Sequence, residues 1–483
     1  MNLANATGAA FRSDLNNALA AVASNNSDSS DPSTTFAYQW YVDTGDSTLK
    51  IRNAANNAYV NVSTVGGIGT ANLGLAPTAS PTFTGDVTIS STTALRVPVG
   101  TTAQRSGSAG NGDIRYNSTL SSFEVYAAGA WASIGGAEAL GSGRLNINGA
   151  MQVAQRGTVV NAGNEYAGPD RYKFAKNDGA YTISQDTDAP SGQGFGNSWK
   201  ADVTATPSDA TGFVILEHKF EGQDVQLLKK GTSSAEKVTL QFWIKSTKTG
   251  TYVAELRDED NTRHICQTYT VSVTNTWEKK TLTFAGDTTG VLGNDNGASF
   301  TIGWWLYAGS NFTSGALATS WAAQTNANRA VGQVNAADNT SNEIYITGVQ
   351  LEVGEDATAF EHRSFGNELA KCQRYYNRLA TGLNAPVCNL AVYATDNAYG
   401  VFNVPVVMRT QPTVDASDAS GHFTLYSGGN GDTFDTFILS ASRTNAVELR
   451  AHSSEGLSGA VAGHAAWAVA SNAAAFIALS AEL

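Results

Sequence analysis

At 483 residues the chain is longer than one hydrophobic core usually organises, so it divides into two to four domains. Charged residues make up only 15%, where about 25% is ordinary, and Ala, Gly, Ser, Thr and Asn replace them, which predicts a neutral polar surface. The net charge of -12 comes from 42 acidic and 30 basic residues with no basic block, which makes nucleic acid and anionic membrane surfaces poor partners.

The start of the chain has no basic n-region and carries Arg12 and Asp14 inside its apolar stretch, so it does not read as a secretory signal. No apolar run reaches the length of a membrane span, and membrane insertion is not expected. Phe11, Leu15, Ala18, Leu19 and Val22 recur at spacings of three and four and place one apolar stripe on a helix over residues 8–24. Such a helix is marginal alone and needs a partner, a symmetry mate or a docking surface. A polar linker ending at Pro32 closes this segment, residues 1–32. In residues 33–64 the period changes to two: Phe36, Tyr38, Trp40 and Val42 share one side of a strand, and turns near Asp43 and Asn56 complete a β-meander. Residues 65–110 are rich in Gly, Thr, Ser and Ala and have little to bury, which predicts a stalk ordered by neighbouring copies. A second small β module occupies residues 111–140, its strands around Tyr116, Val125 and Trp131 separated by Asn-Gly and Ala-Gly turns.

From residue 141 to 365 strand signals follow one another without long helices. Val238, Leu240, Phe242 and Ile244 alternate; Tyr269, Val271 and Val273 do so too, and Leu282 pairs with Phe284. Tyr345, Thr347, Val349, Leu351 and Val353 share one face of a late strand. This pattern predicts a two-sheet sandwich or jelly roll. Phe360, Phe365, Leu369, Cys372 and Tyr376 then lie near one side of a helix spanning roughly 364–380, the segment 366–382 ended by Gly382. Residues 383–483 read as a small distal β domain, with two strands around the Asp396-Asn397 turn, further strands near Leu425, Ile438 and Leu449, and a stretch of small residues from Ala460 to Ala475.

Several segments, taken in order, resemble the tail fibres and receptor-binding tail proteins of bacteriophages, particularly those of cyanobacteria and marine bacteria. They are the N-terminal helix with the aromatic run at 36–40, SPTFTG at 80–85, GDIRYNSTLSSFEVYAAGAW at 112–131, and LEVGEDATAFEHRSFGNELAKCQRYY at 351–376. The resemblance implies an elongated homotrimeric fibre of the virion tail, its partners two further copies of itself. It also implies attachment to tail adaptor or nozzle proteins through the N-terminal region, and contact of the distal domain with a host polysaccharide or lipopolysaccharide. In its strand rhythm and in GVQLEVG at 348–354, the sandwich resembles jelly-roll carbohydrate-binding modules.

For chemistry, no phosphate loop, nucleophile elbow or histidine metal motif is present, and His218, His264, His362, His422, His452 and His464 are dispersed. Cys266, Cys372 and Cys388 are too few for a disulfide framework and read as buried thiols. No cofactor, metal or catalytic residue is assigned, and the chain reads as an adhesive, non-enzymatic protein. The alternatives are a polysaccharide depolymerase with carboxylates on separate strands and a purely structural tail component. Asp258, Glu259 and Asp260 read as a hairpin turn or a metal site, and Asp432 with Asp435 as a calcium pair weakened by the lack of EF-hand spacing. Sugar rings pack on flat aromatic surfaces. The candidate glycan contacts are therefore Trp304, Trp305 and Tyr307, from a strand aromatic on both faces, and Trp321 in a polar loop. One face of that strand serves the core, and the other meets solvent, a neighbouring protomer or a glycan.

Overall fold

The structure is a computed structural model that describes residues 7–23, 27–64, 94–120, 122–134, 143–453 and 456–483. The chain is mainly β and forms two compact units, residues 1–100 with 114–116 and residues 101–113 with 117–483.

In the first unit the apolar periodicity produces the helix Gly8–Ala23, whose stripe of Phe11, Leu15, Leu19 and Val22 is exposed. Next comes a four-stranded sheet ordered Ser27–Asp28, Trp40–Asp43, Thr48–Arg52 and Tyr59–Thr64, with a parallel first pair and antiparallel pairs after it. The strand expected from Phe36 begins only at Trp40, because Tyr38 adopts a left-handed conformation (φ 65°) that interrupts the alternation. Tyr41 is therefore the buried ring of this sheet. Its hydroxyl donates to the carbonyls of Asp28 (2.8 Å) and Ser30 (2.5 Å), and its ring lies 5.2 Å from that of Tyr59. The SPTFTG segment lies outside the described residues.

The second unit opens with the hairpin Ser122–Ala127 and Ala130–Ile134, turned by Ala128 and Gly129, both at positive φ as a two-residue loop demands. A sandwich follows. Its five-stranded sheet runs Ala180–Asp186, Ser198–Ala205, Glu343–Val353, Val238–Ser246, Glu278–Phe284. Its seven-stranded sheet runs Ala322–Ala323, Arg263–Val271, Gly250–Asp258, Ala298–Ala308, Phe213–Glu221, Tyr172–Lys176, Glu165–Tyr166. Between the sheets, Trp304 packs edge-on against Phe242 at 5.8 Å and Phe174 tilts toward Trp199 at 6.1 Å, all four side chains fully buried. The late strand departs from strict alternation. Gly348 (φ 61°) inserts one residue opposite the Gln241 to Trp243 step, so Ile344 and Ile346 face the core before the bulge and Val349 and Leu351 after it. A side chain at 348 would collide with Phe195 and Trp243, each 2.8 Å from its Cβ.

The helix expected over 366–382 is shorter, Phe365–Gln373, capped by Ser364. Tyr376–Thr381 is instead a strand, drawn into pairing with Phe476–Ser480, which also pairs with Thr413–Ala416. This tertiary pairing overrides the local helical spacing. The remaining strands make a seven-stranded sheet ordered Asn430–Phe434, Phe423–Ser427, Ala465–Ala470, Pro386–Ala394, Asn397–Asn403, Ala446–His452, Thr436–Ser442. Its core is a trio of rings, Phe423, Phe434 and Phe437, with centroids 5.0 to 5.4 Å apart, surrounded by small side chains such as Ala451, Ala466 and Ala468.

The Cys372 to Tyr376 segment joins sandwich to C-terminal module. Glu221 of the sandwich accepts two bonds from Arg374, at 2.8 and 2.7 Å, and one from the Tyr375 hydroxyl at 2.5 Å. Arg171 is fully buried, stacks 3.5 Å from the Tyr375 ring centroid and pairs with Glu482. Arg156 lies 3.6 Å over Tyr376 and also reaches Glu482, while the Tyr166 hydroxyl donates to the Leu483 carbonyl. On the other side of the helix, buried Glu368 pairs with buried Arg144. The motif at 351–376 therefore supplies a joint between two cores.

Candidate functional site

The four aromatic residues singled out by sequence do not form an open surface. Trp304 belongs to the sandwich core, and Tyr307 joins the same core, its hydroxyl donating to the Asp209 carbonyl at 2.8 Å. Trp305 faces the other way yet is equally buried, because residues 309–342 fold back over that face and bring Phe312 and Ala330 against it. The expectation that the second face of this strand meets solvent, a protomer or a glycan is corrected: the chain covers it with its own excursion. Trp321 is half-buried, donates through Nε1 to the Ala285 carbonyl at 2.6 Å and carries the Lys230 ammonium 3.9 Å over its ring.

Beneath the excursion sits a buried polar knot. Arg329 donates to Glu255 through Nε (2.9 Å to Oε1) and Nη2 (2.9 Å to Oε2), Trp305 Nε1 donates to Oε2 at 3.1 Å, and His264 Nδ1 lies 2.8 Å from Oε1. Burial on its own would raise the Glu255 carboxyl, but the Arg329 charge and the His264 bond outweigh it and hold the group at about 2. Glu255, His264 and Cys266 lie close enough to hold a metal ion, with ligand atoms within 4.8 Å of one another. Arg329 already supplies the positive charge, however, and burial pushes the Cys266 thiol up, away from the thiolate a metal requires. The arrangement is a structural ion pair that fastens the excursion to the sheet.

The acids read as a turn or a metal site are likewise engaged. Asp258 is buried 3.2 Å from the Lys230 ammonium, Glu259 accepts from Thr301 Oγ1 at 2.7 Å, and Asp260 accepts from the Gly293 amide at 2.8 Å. Asp432 accepts from the Gly459 amide at 2.8 Å.

The open aromatic surface lies on the outer face of the C-terminal seven-stranded sheet. Strand alternation sends Leu425, Ala466, Ala468, Leu390 and Val392 inward, and their neighbours Tyr426, Trp467 and Tyr393 outward. Tyr426 and Trp467 are cross-strand partners with rings stacked at 5.3 Å and only 20° apart. Trp467 keeps 51% of its surface exposed. The Tyr426 ring lies against Gly431 of the next strand, where a Cβ would come within 2.9 Å of its Cε1, so the missing side chain there lets the ring lie flat. On the opposite flank the register partner of Trp467 is Asn389, an exposed amide. On the strand that carries Asn389, Tyr393 meets Tyr399 of the next strand edge to face at 5.9 Å. The signal in the sequence was weak, a single Trp467 inside an alanine-rich stretch.

No protein-family model matches the chain, and no curated protein does. Among solved structures, the enzymatically active domain of tailspike protein 4 of bacteriophage CBA120 aligns at 13% identity over 41% of this chain, with a TM-score of 0.24, and the match spans only 21% of that tailspike chain. A family 4 carbohydrate-binding module aligns at 11% identity over 43% of this chain and 98% of its own length, with a TM-score of 0.23. The family 11 carbohydrate-binding module of a Clostridium thermocellum cellulosomal cellulase aligns at 14% identity over 43% of this chain and 98% of its own, with a TM-score of 0.21.

Proposed function

We propose that the protein is a homotrimeric virion tail-fibre component that attaches to the tail through its N-terminal region and holds a host-surface polysaccharide on the C-terminal sheet without turning it over. The observation that carries the glycan reading is the stacked Tyr426–Trp467 pair, a flat apolar platform open to solvent and flanked by the Asn389 amide. A pyranose ring offers the complementary surface, an apolar C–H face ringed by hydroxyls that amides can bond. The sequence resemblance to phage tail fibres supplies the virion setting. The exposed apolar stripe of the Gly8–Ala23 helix supports self-association, and three copies of a shallow site would gain avidity from one another.

The test compares the full chain with Trp467→Ala in binding to host cells and to isolated host envelope polysaccharide. Loss of such an aromatic anchor is expected to weaken binding at least about ten-fold. Undiminished binding by the variant would remove the platform from the mechanism, and new reducing ends released from the polysaccharide would replace adhesion with depolymerisation.

A further inference from the structure

A second concavity, of about 370 Å³, lies on the outer face of the sandwich's seven-stranded sheet, beside the excursion that buries Trp305. Its floor is built from alternate residues of two neighbouring strands. Lys173 stands on Tyr172–Lys176, and Glu217 and Lys219 on Phe213–Glu221, with Lys173 and Glu217 in register. Gly303 is the partner of both Glu217 and Glu255, so the strand between them contributes no side chain at that point, and Arg257 reaches across to Glu217 at 2.7 Å. Phe312 of the excursion and Phe213, with ring centroids 5.9 Å apart, provide an apolar wall.

The charges in this groove do not cancel. Arg257 is neutralised by Glu217 and Glu259, and Arg329 by Glu255. Lys173 and Lys219 are half-buried, and among the described residues neither ammonium has an ion-pair or hydrogen-bond partner. Burial pushes the Lys219 ammonium down, and the nearby Lys173 and Arg257 charges add to the effect, which Glu217 and Glu259 only partly offset. Two unpaired, partly desolvated cations on the floor of one groove are costly, and the cost is recovered when an anion reaches both. In a chain of net charge -12 with so few basic residues, that placement is not a property of the general surface.

We infer that this groove is a binding site for an acidic saccharide, its carboxylate received by Lys173 and Lys219 and its ring set against Phe312. The site is separate from the Tyr426–Trp467 face and does not depend on the role proposed for it. The inference is tested by titrating the full chain, in a calorimeter at low salt, with oligogalacturonate, with the same oligomer methyl-esterified, and with inorganic phosphate. The acid form is expected to bind, the ester to bind at least about ten-fold more weakly, and phosphate more weakly than the acid oligomer. Lys173→Gln with Lys219→Gln should abolish the preference for the acid form, while Lys279→Gln, an exposed lysine on the other sheet, should leave it intact. A melting temperature shared with the parent protein identifies a folded double variant, and each single Gln variant gives an independent reading of the same loss. Equal binding of acid and ester, absence of binding by the acid form, tighter binding of phosphate alone, or an unchanged preference in the lysine variants would each overturn it.

Discussion

The N-terminal sheet and the sandwich use aromatic residues in opposite ways. In the first, Phe36, Tyr38 and Trp40 are 65%, 65% and 51% exposed, and Tyr41 alone among the aromatics there is a fully buried ring. In the second, Trp199, Trp304 and Trp305 are all inaccessible within one chain. Among the described residues the first is a single sheet four short strands wide, with little to bury its faces against. The sandwich gains a second sheet and also covers the part of its outer face around Trp305 with residues 309–342. The sandwich and the C-terminal module each have a private core, and in the proposed trimer shared burial between copies would serve the N-terminal unit.

The most severe way to probe this contrast is Trp304→Ala, expected to cost about 4 kcal/mol through the cavity it opens, read in urea unfolding. If the sandwich is self-sufficient, that loss is independent of protein concentration; a concentration-dependent midpoint would break the comparison. Next is Arg171→Ala, which strips Glu482 of one buried partner and removes the stack on Tyr375. A loss of about 3 kcal/mol is expected, with a single thermal transition resolving into two as the C-terminal module uncouples from the sandwich. Acid should sharpen the picture further. Glu255 is held at about 2, below its ordinary value of 4.5, so its stabilising contribution is complete above pH 4.5 and is lost as pH falls through about 2. Asp287, whose burial is outweighed by bonds from Arg263 and Lys230, is also held at about 2 and adds to the same slope. Glu255→Gln should flatten it in pH-dependent unfolding. The smallest effect on stability, within about 0.5 kcal/mol, is expected for Leu19→Ser on the exposed stripe. The same substitution should nevertheless lower the solution mass from three copies toward one, and a parent protein that is already a single chain would remove the trimer proposal.

Much of the architecture was written in alternation. The strand Val238–Ser246 and the aromatic strand Ala298–Ala308 follow directly from period-two patterns, and the sandwich follows from their succession. What escaped was governed by distant partners. Tyr376–Thr381 has helical spacing locally and becomes a strand only because Phe476–Ser480 is there to receive it. Ala465–Ala470 occupies the sheet between Phe423–Ser427 and Pro386–Ala394, yet alanine carries little intrinsic preference for a strand. The site was obscured for a related reason. Selecting residues by aromatic type picked Trp304 and Trp305, which serve packing, and passed over Trp467, whose proposed role depends on the neighbour that Tyr426 becomes only after folding. Likewise, the charges at Lys173 and Lys219 signify nothing until register sets Glu217 opposite Lys173 and Arg257 takes that carboxylate.

The strand Phe476–Ser480 lies between Tyr376–Thr381 and Thr413–Ala416, and Glu482 just beyond it reaches Arg156 and Arg171 in the sandwich. The sandwich strands all lie before Glu355, so its two sheets can close around their core first, whereas Tyr376–Thr381 and Thr413–Ala416 have no common partner until Phe476–Ser480 docks between them. Undocking that one strand would leave a folded sandwich beside an unzipped sheet, with the buried Arg171 deprived of its carboxylate.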